Sequence, residues 1–227
     1  MSCPQCLGIE TTFNNDSAVK DLKKYQEKGP RKTTQFLIDF FLKRGVKGKS
    51  LLDIGGGVGI IQHELLKCGL DRAISVEASS AYSEVSKAEA RDQGHAEKVE
   101  FYHGNYVDLA PTISSVDIVT LDRVVCCYPD MEQLVHSSIN HAKEYYAVIY
   151  PHDKLWMRLG IAIVNFIQRI KRSNYRGFIH SKDAFHKIIK EHNFEQCHFQ
   201  ETLLWRIEIF KKKNGQLHTQ NTTNNSL

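Results

Sequence analysis

The sequence predicts an α/β fold built on a mostly parallel sheet, and three observations support this prediction. Short apolar segments alternate with amphipathic segments along most of the chain, which is typical of βαβ units. A glycine-rich loop joins the first apolar segment to the helix that follows it. Near the end of the chain, two apolar segments follow each other directly around Glu201-Thr202, which indicates an antiparallel pair.

Each element is predicted from its own local pattern. Helices are expected where apolar residues recur every three or four positions, as in Phe36, Leu37, Phe40 and Phe41. Gly29-Pro30 and later glycines mark helix ends. Strands are expected at short apolar runs that end in glycine or polar residues. The predicted helices cover 17–28, 33–43, 60–67, 81–93, 131–142, 155–170 and 182–192, and the predicted strands cover 49–54, 73–77, 99–103, 116–121 and 145–150, with two more in 194–211.

The length of 227 residues fits one domain with modest additions. We predict an N-terminal helical segment at 1–30, a main domain at 31–212 and an insertion at about 152–180. Residues 213–227 are rich in Asn, Thr, Gln and Ser, which predicts a disordered polar tail.

Composition argues against several functional classes. Thirty Lys and Arg against 26 Asp and Glu give a net charge of +4, which alone is too weak to indicate a nucleic-acid partner. The sequence contains no run of 18 apolar residues, so no membrane span is predicted. The first residues lack the features of a secretion signal, so we expect a cytoplasmic protein whose six cysteines are thiols. Cys3 and Cys6 form a lone C-x-x-C pair, and no metal site is predicted.

The most specific motif is the loop that follows the first predicted strand. Its glycines Gly55, Gly57 and Gly59 allow positive φ and a close approach of the backbone to a ligand. Glu77 ends the next strand, 22 residues after Gly55. A carboxylate at that position can accept hydrogen bonds from both ribose hydroxyls of an adenosine.

The loop, with Asp53 before it, has the pattern D-x-G-x-G-x-G and resembles the first motif of class I, Rossmann-like, S-adenosylmethionine-dependent methyltransferases. A nicotinamide dinucleotide enzyme is disfavoured because the last glycine of its G-x-G-x-x-G fingerprint is replaced by Ile60. The resemblance implies S-adenosylmethionine as cofactor and a seven-stranded sheet whose last strand is antiparallel. It places Gly55 and Gly57 against methionine and ribose, Glu77 on the ribose, and Asp53 near the amino group.

Two further stretches carry the same resemblance. Gly104-Asn105-Tyr106 follows the third predicted strand, where the family contacts the adenine. The amide oxygen of Asn105 would then accept from the adenine amino group. Asp122 ends the fourth predicted strand, and the resemblance places it near the methionine and the sulfonium.

The methyl acceptor is predicted to be a small molecule. The stretch from Asp122 to Asp130 matches neither the Asp-Pro-Pro-Tyr motif nor the Pro-Cys motif of nucleic-acid methyltransferases. Tyr128-Pro129, residues 20–34 and the insertion resemble magnesium-protoporphyrin O-methyltransferases and their bacterial relatives, although Cys127 stands where that family often has His. This resemblance implies O-methylation of a carboxylate on a planar, tetrapyrrole-like acid. Candidates for a catalytic role are Tyr25, Tyr128 and His152, and a carboxylate nucleophile would need no base.

The apolar helix predicted at 155–170 has basic residues at both ends and admits three interpretations. It could pack in the core, or it could dock reversibly on an anionic membrane. We favour the third interpretation, a lid over the acceptor with Arg158 and Arg176 binding the acceptor's carboxylates, because the region follows strand five at the carboxyl edge of the sheet. Two other functions also stay open for the whole chain: a methyltransferase of proteins or of other small molecules, and a regulator that binds S-adenosylmethionine without turnover.

Overall fold

The computed structural model describes residues 4–213, which form a seven-stranded sheet in the order β3-β2-β1-β4-β5-β7-β6. Strands β1 to β5 are parallel, and β7 runs antiparallel to both β5 and β6. The predicted fold class is therefore confirmed. The strands are β1 (Ser50–Ile54), β2 (Arg72–Glu77), β3 (Val99–His103), β4 (Val116–Asp122), β5 (Ala142–Pro151), β6 (Phe194–Glu201) and β7 (Trp205–Lys212).

Helices cover both faces of the sheet. Because side chains alternate along a strand, Leu51 joins the core on the face of α3 and α4, while Leu52 joins the core on the face of α7 and α9. The α-helices, in chain order from α1 to α9, are Pro4–Thr12, Asn15–Lys28, Lys32–Arg44, Ile60–Lys67, Ser80–Asp92, Tyr106–Leu109, Met131–Ile139, Leu155–Ile170 and Lys182–Glu191.

Most predicted elements are present within a few residues of their expected bounds. One boundary prediction is wrong at Ala142, which begins β5 and does not end the preceding helix. The turn comes earlier because Asn140 ends α7, and the buried Ala142 then pairs with Val116 of β4. Within the helical segment predicted at 1–30, α1 was not predicted as a separate helix, since its short sequence contains Gly8 and has almost no apolar periodicity.

Helix α1 nevertheless docks closely on the rest of the molecule. A β-carbon added to Gly8 would lie 2.2 Å from the backbone nitrogen of Tyr175, so only glycine permits this approach. Gln5 donates to the carbonyl oxygens of Cys127 and Arg176 over 2.7 and 2.9 Å. The N-terminal helix thus lies against the segments that follow β4 and α8.

Helix α8 contradicts the interpretation in which it packs in the core, because none of its residues is buried. Its apolar residues Leu155, Leu159, Phe166 and Ile170 are each at least 62% exposed. The apolar periodicity is that of an amphipathic helix, but it does not reveal which face meets the protein. No helix among residues 4–213 is long and apolar enough to cross a membrane.

The predicted polar tail lies outside the described residues except for Lys213, and so does Cys3 of the C-x-x-C pair. Among the cysteines that the structure describes, Cys68, Cys126, Cys127 and Cys197 are free thiols.

Candidate functional site

A cavity of about 690 Å³ opens at the carboxyl ends of the parallel strands. This is the edge of an open α/β sheet where ligands bind, and the volume lies within the range of small-molecule sites. One part of its wall is the sheet edge, which contributes Gly55, Gly56, Gly57, Glu77, Asn105, Tyr106 and Asp122. The remaining wall comes from α1, α2, the loop into α3, and residues near Tyr128, Tyr175 and Trp205.

The glycine loop has the conformation that its sequence predicts. Gly55 and Gly57 have φ angles of 61° and 62°, which favour glycine over any residue with a side chain. A β-carbon on Gly55 would also approach the Val124 side chain to 2.6 Å. The loop therefore brings bare backbone to the cavity wall, as close contact with a nucleoside cofactor requires.

Glu77 is held beside this loop by backbone donors. Its Oε2 accepts from the Gly57 nitrogen and its Oε1 from the Ser79 nitrogen, both over 2.9 Å. Burial raises the pKa of this carboxyl, and the backbone hydrogen bonds oppose that rise. Since each carboxylate oxygen has two lone pairs, Glu77 keeps acceptor capacity toward the cavity and fits the ribose position.

Asp53 lies in the interior under the loop and does not line the cavity. Its Oδ1 accepts from the Thr120 hydroxyl over 2.7 Å, while Oδ2 has no hydrogen-bond partner. A β-carbon on Gly56 would come within 2.4 Å of that Oδ2. Burial raises the pKa of Asp53 to about 7. Asp53 thus lies beneath the loop, and its place near the cofactor's amino group stays a prediction.

Asp122 lies at the end of β4 and lines the cavity as predicted. Its Oδ2 accepts from the Thr34 hydroxyl over 2.5 Å, and its Oδ1 is 3.2 Å from a guanidinium nitrogen of Arg123. Burial raises the pKa of the carboxyl, and Arg123 opposes that rise. The resulting negative group at the sheet edge fits the cationic methionine end of S-adenosylmethionine.

Asn105 and Tyr106 line the cavity beside Glu77, but they contribute differently. The Tyr106 hydroxyl is turned into the core, where it lies 2.9 Å from Nδ1 of His141. Tyr106 therefore offers the cavity part of its ring and its backbone, while Asn105 is the polar side chain in the predicted adenine position.

The three candidate catalytic residues have different surroundings. Tyr25 and Tyr128 line the cavity. The Tyr25 hydroxyl donates to Glu64 over 2.6 Å, and burial together with this bond raises its pKa to about 12, which makes Tyr25 a poor base. His152 is buried away from the cavity, with its Nε2 2.8 Å from the Thr202 carbonyl oxygen.

The structure does not bring the two predicted acceptor-binding arginines to the cavity. Arg158 pairs with Asp153 at 2.6 Å. The Arg176 guanidinium donates to the carbonyl oxygens of Ser173 and Tyr175. No residue of α8 lines the cavity, so this arrangement gives the lid interpretation no support.

A different set of basic and aromatic residues borders the cavity and was missed in the sequence. Arg123 adopts a φ of 63°, packs over the Trp205 ring at 4.9 Å and donates to the Thr33 hydroxyl. The aromatic wall includes Phe13, Tyr82 and Tyr175. Further basic residues come from α2, the loop into α3 and the start of α3: Lys24, Lys28, Arg31 and Lys32. The density of basic residues around Gly29-Pro30 was the available signal.

A metal centre has no support in the part of the chain that the structure describes, where no three His, Cys, Asp or Glu residues are arranged to hold a metal ion.

Comparisons with known proteins agree with this geometry. Residues 52–143 match the family model described as "Methyltransferase domain". A ribosomal protein L11 methyltransferase from Tolumonas auensis is 31% identical over 74 residues, which are 33% of this chain and 25% of that protein. The chain therefore spans about a quarter of the length of that curated relative.

Two solved structures have a similar fold. Magnesium protoporphyrin IX methyltransferase from Synechocystis PCC 6803, with S-adenosylhomocysteine bound, aligns with a TM-score of 0.66 at 16% identity, over 90% of this chain and 98% of that one. Geranyl diphosphate C-methyltransferase from Streptomyces coelicolor aligns with a TM-score of 0.61 at 13% identity, over 79% of this chain and 77% of that one. At such identities the similarity extends to the fold alone.

Proposed function

We propose that this chain is a class I S-adenosylmethionine-dependent methyltransferase that methylates a small acceptor bearing a carboxylate. The observation that carries the proposal is the lining of the cavity. The glycine loop and Glu77 in that lining suit the cofactor. The basic side chains and aromatic rings that also line the cavity suit a planar acid.

The residues of this chain fit S-adenosylmethionine in three places. Glu77 would accept from the ribose hydroxyls, Asn105 would face the adenine, and Asp122 would lie near the methionine end. The cofactor supplies a methyl group on a sulfonium, a carbon already activated for displacement. The protein's contribution is then to align the acceptor oxygen with that methyl group and to exclude water.

Among the residues that line the cavity, Lys28, Arg31 and Arg123 would bind the acceptor's carboxylate. In the transfer, a carboxylate oxygen forms the new bond to the methyl carbon and the carbon–sulfur bond breaks, which leaves an ester and S-adenosylhomocysteine. A carboxylate is ionised near neutral pH, so no residue has to remove a proton. This agrees with the environment of Tyr25, whose raised pKa keeps it protonated.

The solved magnesium protoporphyrin IX methyltransferase supports a planar tetrapyrrole-like acid as the first acceptor to examine. The ribosomal protein L11 methyltransferase relative favours a second candidate, a protein acceptor, because the sequence similarity to that enzyme extends over 74 residues. The aromatic wall and the enclosure of the cavity by α1 favour the small molecule.

Calorimetric titration with S-adenosylhomocysteine, with NADH as control, tests the cofactor. Binding of S-adenosylhomocysteine alone is expected, and a preference for NADH would overturn the assignment. Transfer of labelled methyl groups from S-adenosylmethionine to porphyrin carboxylic acids, or to a lysate separated by size, then identifies the acceptor class. Label in the protein fraction alone would favour the protein acceptor, and cofactor binding without transfer to any fraction would favour a non-catalytic regulator.

A further inference from the structure

Helix α8 presents an outward apolar face that the proposed reaction does not use. Successive residues of a helix are about 100° apart, which places seven large apolar residues of α8 within an arc of about 120°. Each is between 44% and 84% exposed: Leu155, Trp156, Leu159, Ile163, Phe166, Ile167 and Ile170.

The opposite side of α8 holds the helix on the protein. Met157, Ile161, Asn165 and Gln168 share that side and are the less exposed residues of the helix. The Asn165 side-chain nitrogen donates to the Gly177 carbonyl oxygen, and the Asn165 side-chain oxygen accepts from the Gly177 nitrogen, both over 2.8 Å. Ile161 packs close to Gly177 as well. The helix is therefore attached by its more polar side and turns its apolar side away from the core, the reverse of an ordinary surface helix.

The turn between β6 and β7 extends this apolar face. The His152 nitrogen donates to the Leu204 carbonyl oxygen over 3.1 Å, which fixes the turn beside the start of α8. Leu203 is 79% exposed and Leu204 is 43% exposed. These two residues thus lie near the start of α8, and we call them, together with the seven residues of α8, the α8 surface.

The segment that carries α8 is basic. Residues 154–182 contain seven Lys or Arg and no Asp or Glu. Arg158 and Arg169 lie on one flank of the apolar arc, and Lys171 and Arg172 follow the end of the helix. Arg158 has an acidic neighbour in Asp153, which precedes the segment.

We propose that the α8 surface docks the protein on a membrane that contains anionic lipids. A helix with an exposed apolar face, a Trp and flanking Lys and Arg lies in the plane of a lipid interface, with its basic groups at the headgroups. The 16 residues of α8 span only about 24 Å, which is shorter than the hydrocarbon core, so the helix lies on the membrane and does not cross it.

Charge complementarity favours the membrane over a second copy of the chain. A symmetric dimer through the α8 surface would bring two exclusively basic segments together, and like charges facing each other oppose association. A lid over the cavity would need apolar residues of α8 in the cavity wall, where none is found. The membrane proposal does not rest on the proposed reaction.

Sedimentation with lipid vesicles tests the proposal. The protein should bind vesicles that contain phosphatidylglycerol at least about tenfold more strongly than vesicles of phosphatidylcholine alone, and added salt should weaken the binding. The variant Ile163→Glu/Phe166→Glu should lose this binding. The matched control is Val19→Glu on α2, which changes an apolar residue of similar exposure (51%) far along the chain and should bind as the wild type does.

Calorimetry with S-adenosylhomocysteine on the same variants shows whether they are folded, because α8 does not contribute to the cavity. The proposal would be overturned if the wild-type protein did not bind phosphatidylglycerol vesicles at low ionic strength. Equal loss of vesicle binding in Val19→Glu would overturn it as well. A wild-type dimer that the double variant dissociates, without vesicle binding, would assign the α8 surface to a second copy.

Discussion

At the scale of single residues, Glu77 makes the sharpest test of the cofactor site. Its carboxylate bridges the Gly57 and Ser79 nitrogens and still faces the cavity. The Glu77→Gln substitution keeps the shape but replaces one acceptor oxygen by a donor, so a hydrogen bond to a charged group is lost. We expect S-adenosylhomocysteine to bind about 10- to 100-fold more weakly in calorimetry.

The control for Glu77 is Glu84→Gln, which alters a 68% exposed carboxylate that pairs with Lys87 on α5. It should leave the affinity for S-adenosylhomocysteine unchanged. Equal affinity in Glu77→Gln and wild type would exclude Glu77 from the cofactor site.

The basic residues of the cavity lead to a second test at this scale. The variant Lys28→Ala/Arg31→Ala removes two of the charges proposed to hold the acceptor's carboxylate. Because both side chains are exposed to water, we expect a modest rise in acceptor KM, about two- to fivefold, with cofactor affinity unchanged.

Lys23→Ala is the matched control for that variant, since Lys23 lies on the same helix, is 73% exposed and does not line the cavity. A KM that rises as much in Lys23→Ala as in the double variant would mean that general charge, and not a binding site, attracts the acceptor.

At the scale of elements, a buried histidine pair ties α4 to the glycine loop. His63 Nδ1 lies 2.8 Å from His95 Nε2, and His63 Nε2 lies 3.1 Å from the Val58 carbonyl oxygen. Burial, reinforced by the neighbouring His95, lowers the pKa of His63 to about 4. The unfolded chain therefore binds a proton at His63 between pH 4 and 6.5 that the folded chain does not bind.

This difference predicts how stability depends on pH. The stabilisation from neutral His63 is fully present above pH 6.5 and is lost as the pH falls toward 4, at a cost of about 2 kcal/mol between pH 7 and pH 5. Urea unfolding at both values measures the change. In His63→Gln, which does not titrate, the fall in stability between pH 7 and pH 5 should be smaller by about that amount. An unchanged fall would show that other groups determine the pH dependence.

The same scale shows what the sequence can and cannot predict. The glycine loop and Glu77 were predictable because their geometry is local: a strand, a turn that needs positive φ and the next strand's end. Lys28 was not, since it reaches the cavity only through packing of α2 on the sheet. The direction of the Arg123 side chain was not either, because it depends on contacts with Thr33 and Trp205, which are distant in sequence. For α8, periodicity predicted the helix but could not say which side faces the protein.

At the scale of the whole molecule, α1 is one of the elements that enclose the cavity, and Gly8 is the residue that permits its close approach. Gln5, Cys6 and Ile9 of this helix line the cavity. Any side chain on Gly8 meets the Tyr175 backbone at 2.2 Å, so Gly8→Ala should displace α1 even though alanine favours helices. Because the sheet and its two cores do not include α1, the fold should persist.

We therefore expect Gly8→Ala to raise the acceptor KM and to speed amide hydrogen exchange in residues 4–12 and 173–178, while the main unfolding transition stays within about 1 kcal/mol of wild type. Gly160→Ala is the matched control, because a β-carbon there meets nothing within 4 Å. It should bind acceptor normally and gain up to about 1 kcal/mol from helix propensity. If hydrogen exchange and acceptor binding in Gly8→Ala matched those in Gly160→Ala, α1 would not be an element that closes the cavity.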